Sequence, residues 1–274
     1  MKLYVSVDME GITGMVDSTF VFPGRHNYAR GQQIMTDEAN HVIASAFDEG
    51  CAEVIVNDSH SKMNNLLIER LHPEAQLLSG DVKPYSMVQG LDASFAGAAF
   101  IGYHTMAPTA GVLSHSMIFG AHRMWLGGKA VGELGLNAYV AGHYGVPVLL
   151  VAGDDRTAVE AEELIPGVTT AVVKTYVSRT SALCLTPDKS GQLLRDKTKE
   201  ALAARGRVQP LVPPDKPVLA IEFANYGQAE WAHLMPGTEL DSGSPVVTFA
   251  AADMLEAYRA MLVMVELASR AEFC

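Results

Sequence analysis

Three short apolar segments of this chain each lead directly to an acidic or histidine side chain. These side chains are Asp8 after residues 2–7, His60 after residues 52–57 and His104 after residues 97–103. Short apolar runs of this kind are typical of buried parallel strands. Since the ligand crevice of an open α/β sheet lies beyond the carboxyl ends of its strands, we expect these side chains to converge at one edge of a sheet.

The order of predicted helices and strands indicates an α/β fold with a mostly parallel central sheet flanked by helices and a smaller C-terminal α+β unit. Four prolines in 208–217 mark a boundary, which divides the chain into a catalytic domain, 1–207, and a smaller unit, 208–274. Strands are predicted at 2–7, 52–57, 75–78, 97–103, 146–152, 168–176, 218–223 and 246–250. Helices are predicted at 28–49, 64–71, 133–143, 157–164, 187–204, 228–233 and 253–270.

The charge balance argues against a nucleic-acid partner. There are 20 Lys and Arg against 31 Asp and Glu, a net charge of -11, and no extended basic cluster. Nucleic-acid affinity depends on basic residues that displace counterions. The three cysteines, Cys51, Cys184 and Cys274, are an odd number without ligand spacing, which is typical of a reducing compartment. We find no secretory leader and no membrane-spanning stretch, so we expect a cytoplasmic protein with no membrane partner.

Asp8 and Glu10 are two residues apart, which on a continuing strand would place both carboxylates on one face. Gly11 follows them and permits a tight bend, so both oxygens could reach one cation. The alternative is that Asp8 caps a turn while Glu10 is solvated, because so short a motif often occurs by chance.

His60 and His104 favour the metal-binding interpretation. A single histidine near a strand is more often structural, but here two follow separate strands alongside paired carboxylates. Mixed carboxylate and imidazole ligation suits zinc, manganese or iron better than magnesium or calcium. Glu133, at the start of a predicted helix, is a fifth candidate ligand, although the helix dipole alone could favour an acid there.

Five candidate ligands exceed the number that a single catalytic zinc with an open position normally uses. A carboxylate that bridges two metals accounts for the excess. His115, in a polar insert within an apolar stretch, is the candidate catalytic residue, since an imidazole titrates near neutral pH. The residues around His60, namely Asp58, Ser59, Lys62 and Asn64, either orient that histidine or cap a following helix, with capping favoured for Asn64.

The chain resembles the zinc-dependent D-aminopeptidases encoded with bacterial dipeptide-transport genes. The resemblance extends over the whole sequence, including EFANY at 222–226. Its main motifs are SVDMEG at 6–11, NDSHSKMNN at 57–65, GYH at 102–104, SHS at 114–116 and GELGLN at 132–137.

The resemblance implies two zinc ions per subunit. Asp8 would bridge them, with Glu10 and His60 completing one site and His104 and Glu133 the other, while His115 would be catalytic as a nucleophile, acid, base or orienting group. It further implies release of N-terminal D-amino acids from short peptides such as D-Ala-D-Ala, and a homodecamer of stacked rings. Two adjacent metals, roughly 3.5–4 Å apart, can polarise a scissile carbonyl and activate water.

Two alternatives remain open at this point. Two-metal sites serve several hydrolytic reactions, so an amidase or a phosphatase could use the same residues. A non-catalytic peptide-binding protein could instead use metal for stability, although ligands that leave open coordination positions argue against it.

Overall fold

The computed structural model describes residues 1–272, and Cys274 lies outside the described residues. Its strands, in chain order, are β1 (Lys2–Val7), β2 (Glu53–Asp58), β3 (Gln76–Leu78), β4 (Gly97–Ile101), β5 (Ala121–Leu126), β6 (Lys129–Val131), β7 (Val148–Asp154), β8 (Thr169–Ser178), β9 (Ser181–Cys184), β10 (Val218–Phe223), β11 (Thr238–Leu240) and β12 (Val246–Ala250). Its α-helices are α1 (Ser18–Val21), α2 (Tyr28–Asp48), α3 (Glu133–His143), α4 (Asp155–Leu164), α5 (Pro187–Ala204), α6 (Tyr226–His233) and α7 (Met254–Ala268).

Seven strands form the central sheet in the order β3-β2-β1-β4-β7-β8-β9. The pairs from β3 to β8 are parallel, and β9 is the antiparallel partner of β8 at one edge. The predicted α/β fold with a mostly parallel central sheet flanked by helices is therefore confirmed.

The strand order reverses at β1. After β1, the chain builds β2 and β3 on one side and then crosses to place β4 on the other side of β1. Such a reversal opens a crevice beyond the carboxyl ends of the two strands that flank it, because their connections leave in opposite directions. In this molecule the crevice lies beyond β1 and β4.

The longest helix, α2, ends within one residue of its predicted position, and Gly50 follows it at a positive φ of 85°. It packs against α5 beside the central sheet. Its buried apolar residues recur at helical spacing and include Met35, Ala39, Val42, Ile43 and Ala46. Within residues 1–272, no helix combines the length and apolar character needed to cross a bilayer.

The second sheet is antiparallel, with strand order β11-β12-β10-β5-β6. Three of its strands come from the predicted C-terminal unit, but β5 and β6 come from residues 121–131, where the sequence pattern predicted no strand. The sheet thus combines strands from both sides of position 207. The division into 1–207 and 208–274 stays a prediction about folding units.

The helix predicted at 64–71 is wrong. Only a 3-10 turn, Ile68–Arg70, forms there. The Asp58 carboxylate accepts hydrogen bonds from the backbone N–H groups of Asn65 and Leu66, at 2.5 and 2.7 Å, and the Thr36 hydroxyl accepts one from Leu67. These side chains satisfy the amides in an irregular loop, so no helix is needed to pair them. The proposed capping role of Asn64, which is exposed, is also wrong because there is no helix for it to cap.

Candidate metal centre

The structure brings all five candidate ligands together at the carboxyl edge of the central sheet. Asp8 directly follows β1, His60 lies two residues after β2, and His104 lies three residues after β4. Glu10 belongs to the turn after β1, and Glu133 is the first residue of α3. All five side chains are buried, with exposed fractions between 2 and 7%.

Asp8 lies between two groups of donors. Its Oδ1 is 3.3 Å from His60 Nδ1, which is also 3.0 Å from Glu10 Oε2. Its Oδ2 is 3.5 Å from His104 Nε2, which is 3.3 Å from Glu133 Oε2. One carboxylate therefore presents one oxygen to each of two carboxylate–imidazole pairs.

Backbone carbonyls orient both imidazoles. His60 Nε2 lies 2.7 Å from the carbonyl oxygen of Val21, and His104 Nδ1 lies 3.0 Å from that of Thr105. Because a carbonyl can only accept, each of these nitrogens carries the hydrogen in the neutral ring. The other nitrogen of each ring then directs a lone pair at the carboxylates, as in metal-ligating histidines.

Several polar atoms of this cluster are buried without a hydrogen-bond partner among the described residues. They are Asp8 Oδ2, Glu10 Oε2 and His104 Nε2. A buried polar atom left unpaired costs about 1–3 kcal/mol, and more when it is charged. Ligand atoms of Asp8, Glu10 and His104 lie within 4.8 Å of one another, as do those of His104, His115 and Glu133. The donor set fits divalent cations that accept both oxygen and nitrogen ligands.

The electrostatics reflect concentrated negative charge. Burial raises the pKa of Asp8, and the neighbouring Glu10 raises it further, to about 7. Burial lowers the pKa of His104, but the charges of Glu133 and Asp8 outweigh burial and raise it to about 10. Three carboxylates and two imidazoles thus share a buried space, and the negative charge of the carboxylates favours a positive charge among them.

Gly11 makes the convergence sterically possible. Its N–H donates to the carbonyl of Gly102 at 2.7 Å, which joins the turn after β1 to the segment that precedes His104. A Cβ at position 11 would lie 2.0 Å from the carbonyl oxygen of Tyr103. Only glycine permits this approach, so the predicted role of Gly11 in bending the chain extends to close packing.

His115 lies beside the cluster, with Nε2 at 3.7 Å from Glu133 Oε1. Its Nδ1 lies 2.9 Å from the carbonyl oxygen of Leu113, which assigns the hydrogen to Nδ1 and leaves Nε2 as an acceptor. The ring stacks on that of His104, with centroids 4.2 Å apart, and its other neighbour is Phe119. Burial, together with the charge of His104, lowers the pKa of His115.

Sequence reasoning missed Lys174, which lies in β8 and is 1% exposed. Its ammonium group donates to the carbonyl oxygens of Glu10, Ile12 and Met15, at 3.0 Å for Ile12 and 2.6 Å for Met15. A single cation thereby holds the turn that carries Glu10. A lone lysine in an extended segment gives no sequence signal for this role.

The residues around His60 divide into two groups. Asp58 organises the loop and Ser59 points into the protein, where it hydrogen-bonds Ser6. Lys62 is exposed and pairs with Asp81 at 3.4 Å, so it does not orient the histidine. Val21, rather than any of the four predicted residues, accepts the hydrogen bond from the His60 ring.

A buried carboxylate–imidazole cluster at the switch point of a parallel sheet is an arrangement suited to the class of metal-dependent hydrolases. The family model described as D-aminopeptidase, Peptidase_M55, matches residues 1–263, and the chain belongs to this family. The predicted family membership is confirmed, and with it the prediction that the chain is a peptidase.

Two relatives match along their whole lengths. A protein of Bacillus subtilis (strain 168) named D-aminopeptidase is 66% identical over 274 residues, which is 100% of both chains. A solved structure described as "Zn-dependent D-aminopeptidase DppA from Bacillus subtilis, a self-compartmentalizing protease" is likewise 66% identical, with a TM-score of 0.99 and 100% coverage of both chains. The chain is therefore similar to a metallopeptidase in both sequence and fold.

Proposed function

We propose that this protein is a binuclear zinc aminopeptidase that hydrolyses the N-terminal peptide bond of short D-amino-acid peptides such as D-Ala-D-Ala. The observation that carries the proposal is the position of Asp8, whose two oxygens face two separate carboxylate–imidazole pairs. Similarity to the Bacillus subtilis D-aminopeptidase supports the D-amino-acid substrate, and similarity to the solved Zn-dependent D-aminopeptidase supports zinc.

The proposed ligands divide around Asp8. Glu10 and His60 would hold one ion, His104 and Glu133 would hold the other, and Asp8 would be shared. The distances within each group, from 3.0 to 3.5 Å, support this division. The three carboxylates supply negative charge to balance the two ions, and the carbonyls of Val21 and Thr105 fix the ring orientations.

When bound, two divalent ions would polarise the scissile carbonyl and lower the pKa of a water molecule. His115 Nε2 accepts the proton of the attacking water and returns it to the leaving amine, since its Nδ1 hydrogen is held by Leu113. Burial lowers the pKa of His115, which favours the neutral ring whose Nε2 has a free lone pair. The His104 and Phe119 rings hold the imidazole in place on its two sides.

The experiment that tests the proposal combines metal analysis of the purified protein with a three-substrate assay. We expect about two zinc ions per chain and release of D-Ala from D-Ala-D-Ala, with little turnover of the L,L isomer or of a phosphate monoester. Preferred cleavage of the phosphate monoester would favour the phosphatase alternative. Binding of peptide without turnover would favour the peptide-binding alternative.

We also propose that the chain assembles into a homo-oligomer, a homodecamer, in the cytoplasm. The similarity to a relative described as self-compartmentalizing supports the assembly. The odd number of cysteines supports a reducing compartment. Sedimentation analysis gives the mass of the assembly, and a monomer would contradict the proposed oligomer. Fractionation of cells that express the protein gives its location, and a secreted protein would contradict the proposed cytoplasmic location.

A further inference from the structure

A chain of buried hydrogen bonds lies next to the candidate ligands in the interior of the protein. Its members are the hydroxyl groups of Ser6, Ser59, Tyr103 and Tyr258 and the side-chain amide of Asn137, all between 0 and 4% exposed. Ser6 Oγ lies 2.7 Å from both Ser59 Oγ and the Tyr103 hydroxyl. Asn137 Nδ2 donates to the Tyr103 oxygen at 2.9 Å, and Tyr258 donates to Asn137 Oδ1 at 2.8 Å.

The members of this hydrogen-bond chain follow the candidate ligands along the sequence. Ser59 and Tyr103 directly precede a ligand, Ser6 lies two residues before one, and Asn137 lies about one helical turn after one. The pairs are Ser6 with Asp8, Ser59 with His60, Tyr103 with His104 and Asn137 with Glu133. Each of the four segments that carry ligands therefore also contributes one member of the hydrogen-bond chain.

One arrangement of hydrogens that satisfies the hydrogen-bond chain begins at Ser6. In this arrangement Ser6 donates to the carbonyl of Met87 at 2.8 Å, and its two lone pairs accept the hydroxyl hydrogens of Ser59 and Tyr103. Tyr103 in turn accepts from the Asn137 amide, whose oxygen accepts from Tyr258. Since every donor has an acceptor, the hydrogen bonds fix both the separation and the orientation of the segments that they join.

We propose that this hydrogen-bond chain sets the spacing of the four ligand-bearing segments, and that Tyr258 extends this control to α7. Ser6, Ser59, Tyr103, Asn137 and Tyr258 are positioning residues, because they act through the ligands beside them. Apolar packing alone tolerates small shifts between segments, whereas a metal site requires ligand distances within about 0.2 Å. Directional hydrogen bonds between the segments supply that precision.

The inference rests on the proposed function, because it concerns residues that position metal ligands. Its main test is Tyr103→Phe, which removes the hydroxyl that joins Ser6 to Asn137 but keeps the ring stacked on Phe100. We expect zinc affinity to fall about 10-fold, at the low end of the effect of removing a group that orients a ligand. The measurement is competition for zinc with a chromophoric chelator, beside thermal unfolding of the metal-free protein.

The matched control is Tyr139→Phe on α3, because the Tyr139 side chain is mostly buried and its hydroxyl makes no hydrogen bond within residues 1–272. It should bind zinc as tightly as the wild type. If Tyr103→Phe lowers the melting temperature of the metal-free protein but leaves zinc affinity unchanged, the residue is merely structural and the inference is overturned. If the wild type itself binds no zinc, the proposed function fails instead.

Ser6→Ala is the second variant, and it tests the proposed positioning role if Tyr103→Phe does not fold. It should also weaken zinc binding, and the loss in the double variant should be smaller than the sum of the two single losses, because both changes break the hydrogen bond between Ser6 and Tyr103. Full additivity of the two losses would show that the residues act independently and would contradict the hydrogen-bond chain. Tyr258→Phe should weaken zinc binding less than Tyr103→Phe, because it removes only the terminal donor.

Discussion

The two sheets of this protein are built differently and contribute unequally to the site. In the central sheet, β4 and β7 are buried at every position, whereas β10 in the second sheet alternates between buried and more exposed residues. Four candidate ligands follow strands of the central sheet. The second sheet contributes only Glu133, which is the first residue of α3 and lies two residues after β6.

Strand direction explains this difference. Parallel strands end at the same edge, so the side chains that follow β1, β2 and β4 meet even though about 100 residues separate the first from the last. Antiparallel strands end at alternating edges, so only some of their connections can reach a given site. The central sheet therefore builds the site, and the second sheet mainly supports it.

The largest effect should follow a change at the centre of the central-sheet cluster. Asp8→Asn keeps the size of the side chain but removes the charge and one of the two oxygens that face the paired donors. We expect this variant to lose at least one of the two proposed zinc ions and nearly all turnover. Metal analysis and release of D-Ala from D-Ala-D-Ala measure both. Asp17→Asn, at the partly exposed N-cap of α1, is the control and should keep both ions.

His115→Ala should reduce turnover by about 10²–10⁴-fold, because it removes a proton-transfer group, while zinc content stays close to that of the wild type. Steady-state kinetics and metal analysis on the same preparation test this expectation. Unchanged turnover would remove His115 from the mechanism. If the variant also loses zinc, His115 is instead a metal ligand, since its ring nitrogen lies within 4.8 Å of ligand atoms of His104 and Glu133.

A core change in the second sheet should affect stability rather than chemistry. Ile221 in β10 is fully buried, and Ile221→Ala should lower the free energy of unfolding by about 2–5 kcal/mol. Turnover per folded molecule should not change, since Ile221 contributes nothing to the metal cluster. Denaturant unfolding and kinetics at low temperature measure the two quantities. A large loss of turnover in the folded fraction would mean that the second sheet has a direct part in catalysis.

A smaller effect concerns Glu38, a buried carboxyl in α2 beside the central sheet. Burial raises its pKa to about 7 despite hydrogen bonds from Ser190 and Thr13. Because the unfolded pKa is lower, about 4.3, the folded state holds an extra proton between these values. Its contribution to stability is therefore greatest below the unfolded pKa and is lost as the pH rises through about 7.

Because Gln cannot ionise, Glu38→Gln should avoid this loss of stability and be more stable than the wild type at pH 8 by about 3–4 kcal/mol. The measurement is the difference in free energy of unfolding between variant and wild type from pH 5 to 8. The exposed Glu200→Gln serves as control and should give a constant difference. A constant difference for Glu38→Gln as well would show that the Glu38 carboxyl titrates normally.

Much of the fold could be predicted from local patterns. Helix α2 and strands β1, β2 and β10 lie where apolar periodicity places them, because burial of one face or of a whole strand leaves its period in the sequence. The β5–β6 hairpin was missed, since its exposed His122 and Arg123 interrupt the apolar alternation. The loop after β2 was predicted as a helix because sequence spacing gave no sign that Asp58 would bind its amides.

The order of amino acids is enough to identify the apolar runs and the acidic and histidine residues that follow them, and these residue types indicate the kind of ligand this protein can bind. The folded chain adds that Asp8 lies between two donor pairs, that the carbonyls of Val21 and Thr105 orient the imidazoles, and that Lys174 holds the turn of Glu10. Every residue has a backbone carbonyl, and long-range hydrogen bonds depend on packing, so neither leaves a recognisable pattern in the sequence. They acquire a role only when packing brings distant segments within about 3 Å of one another.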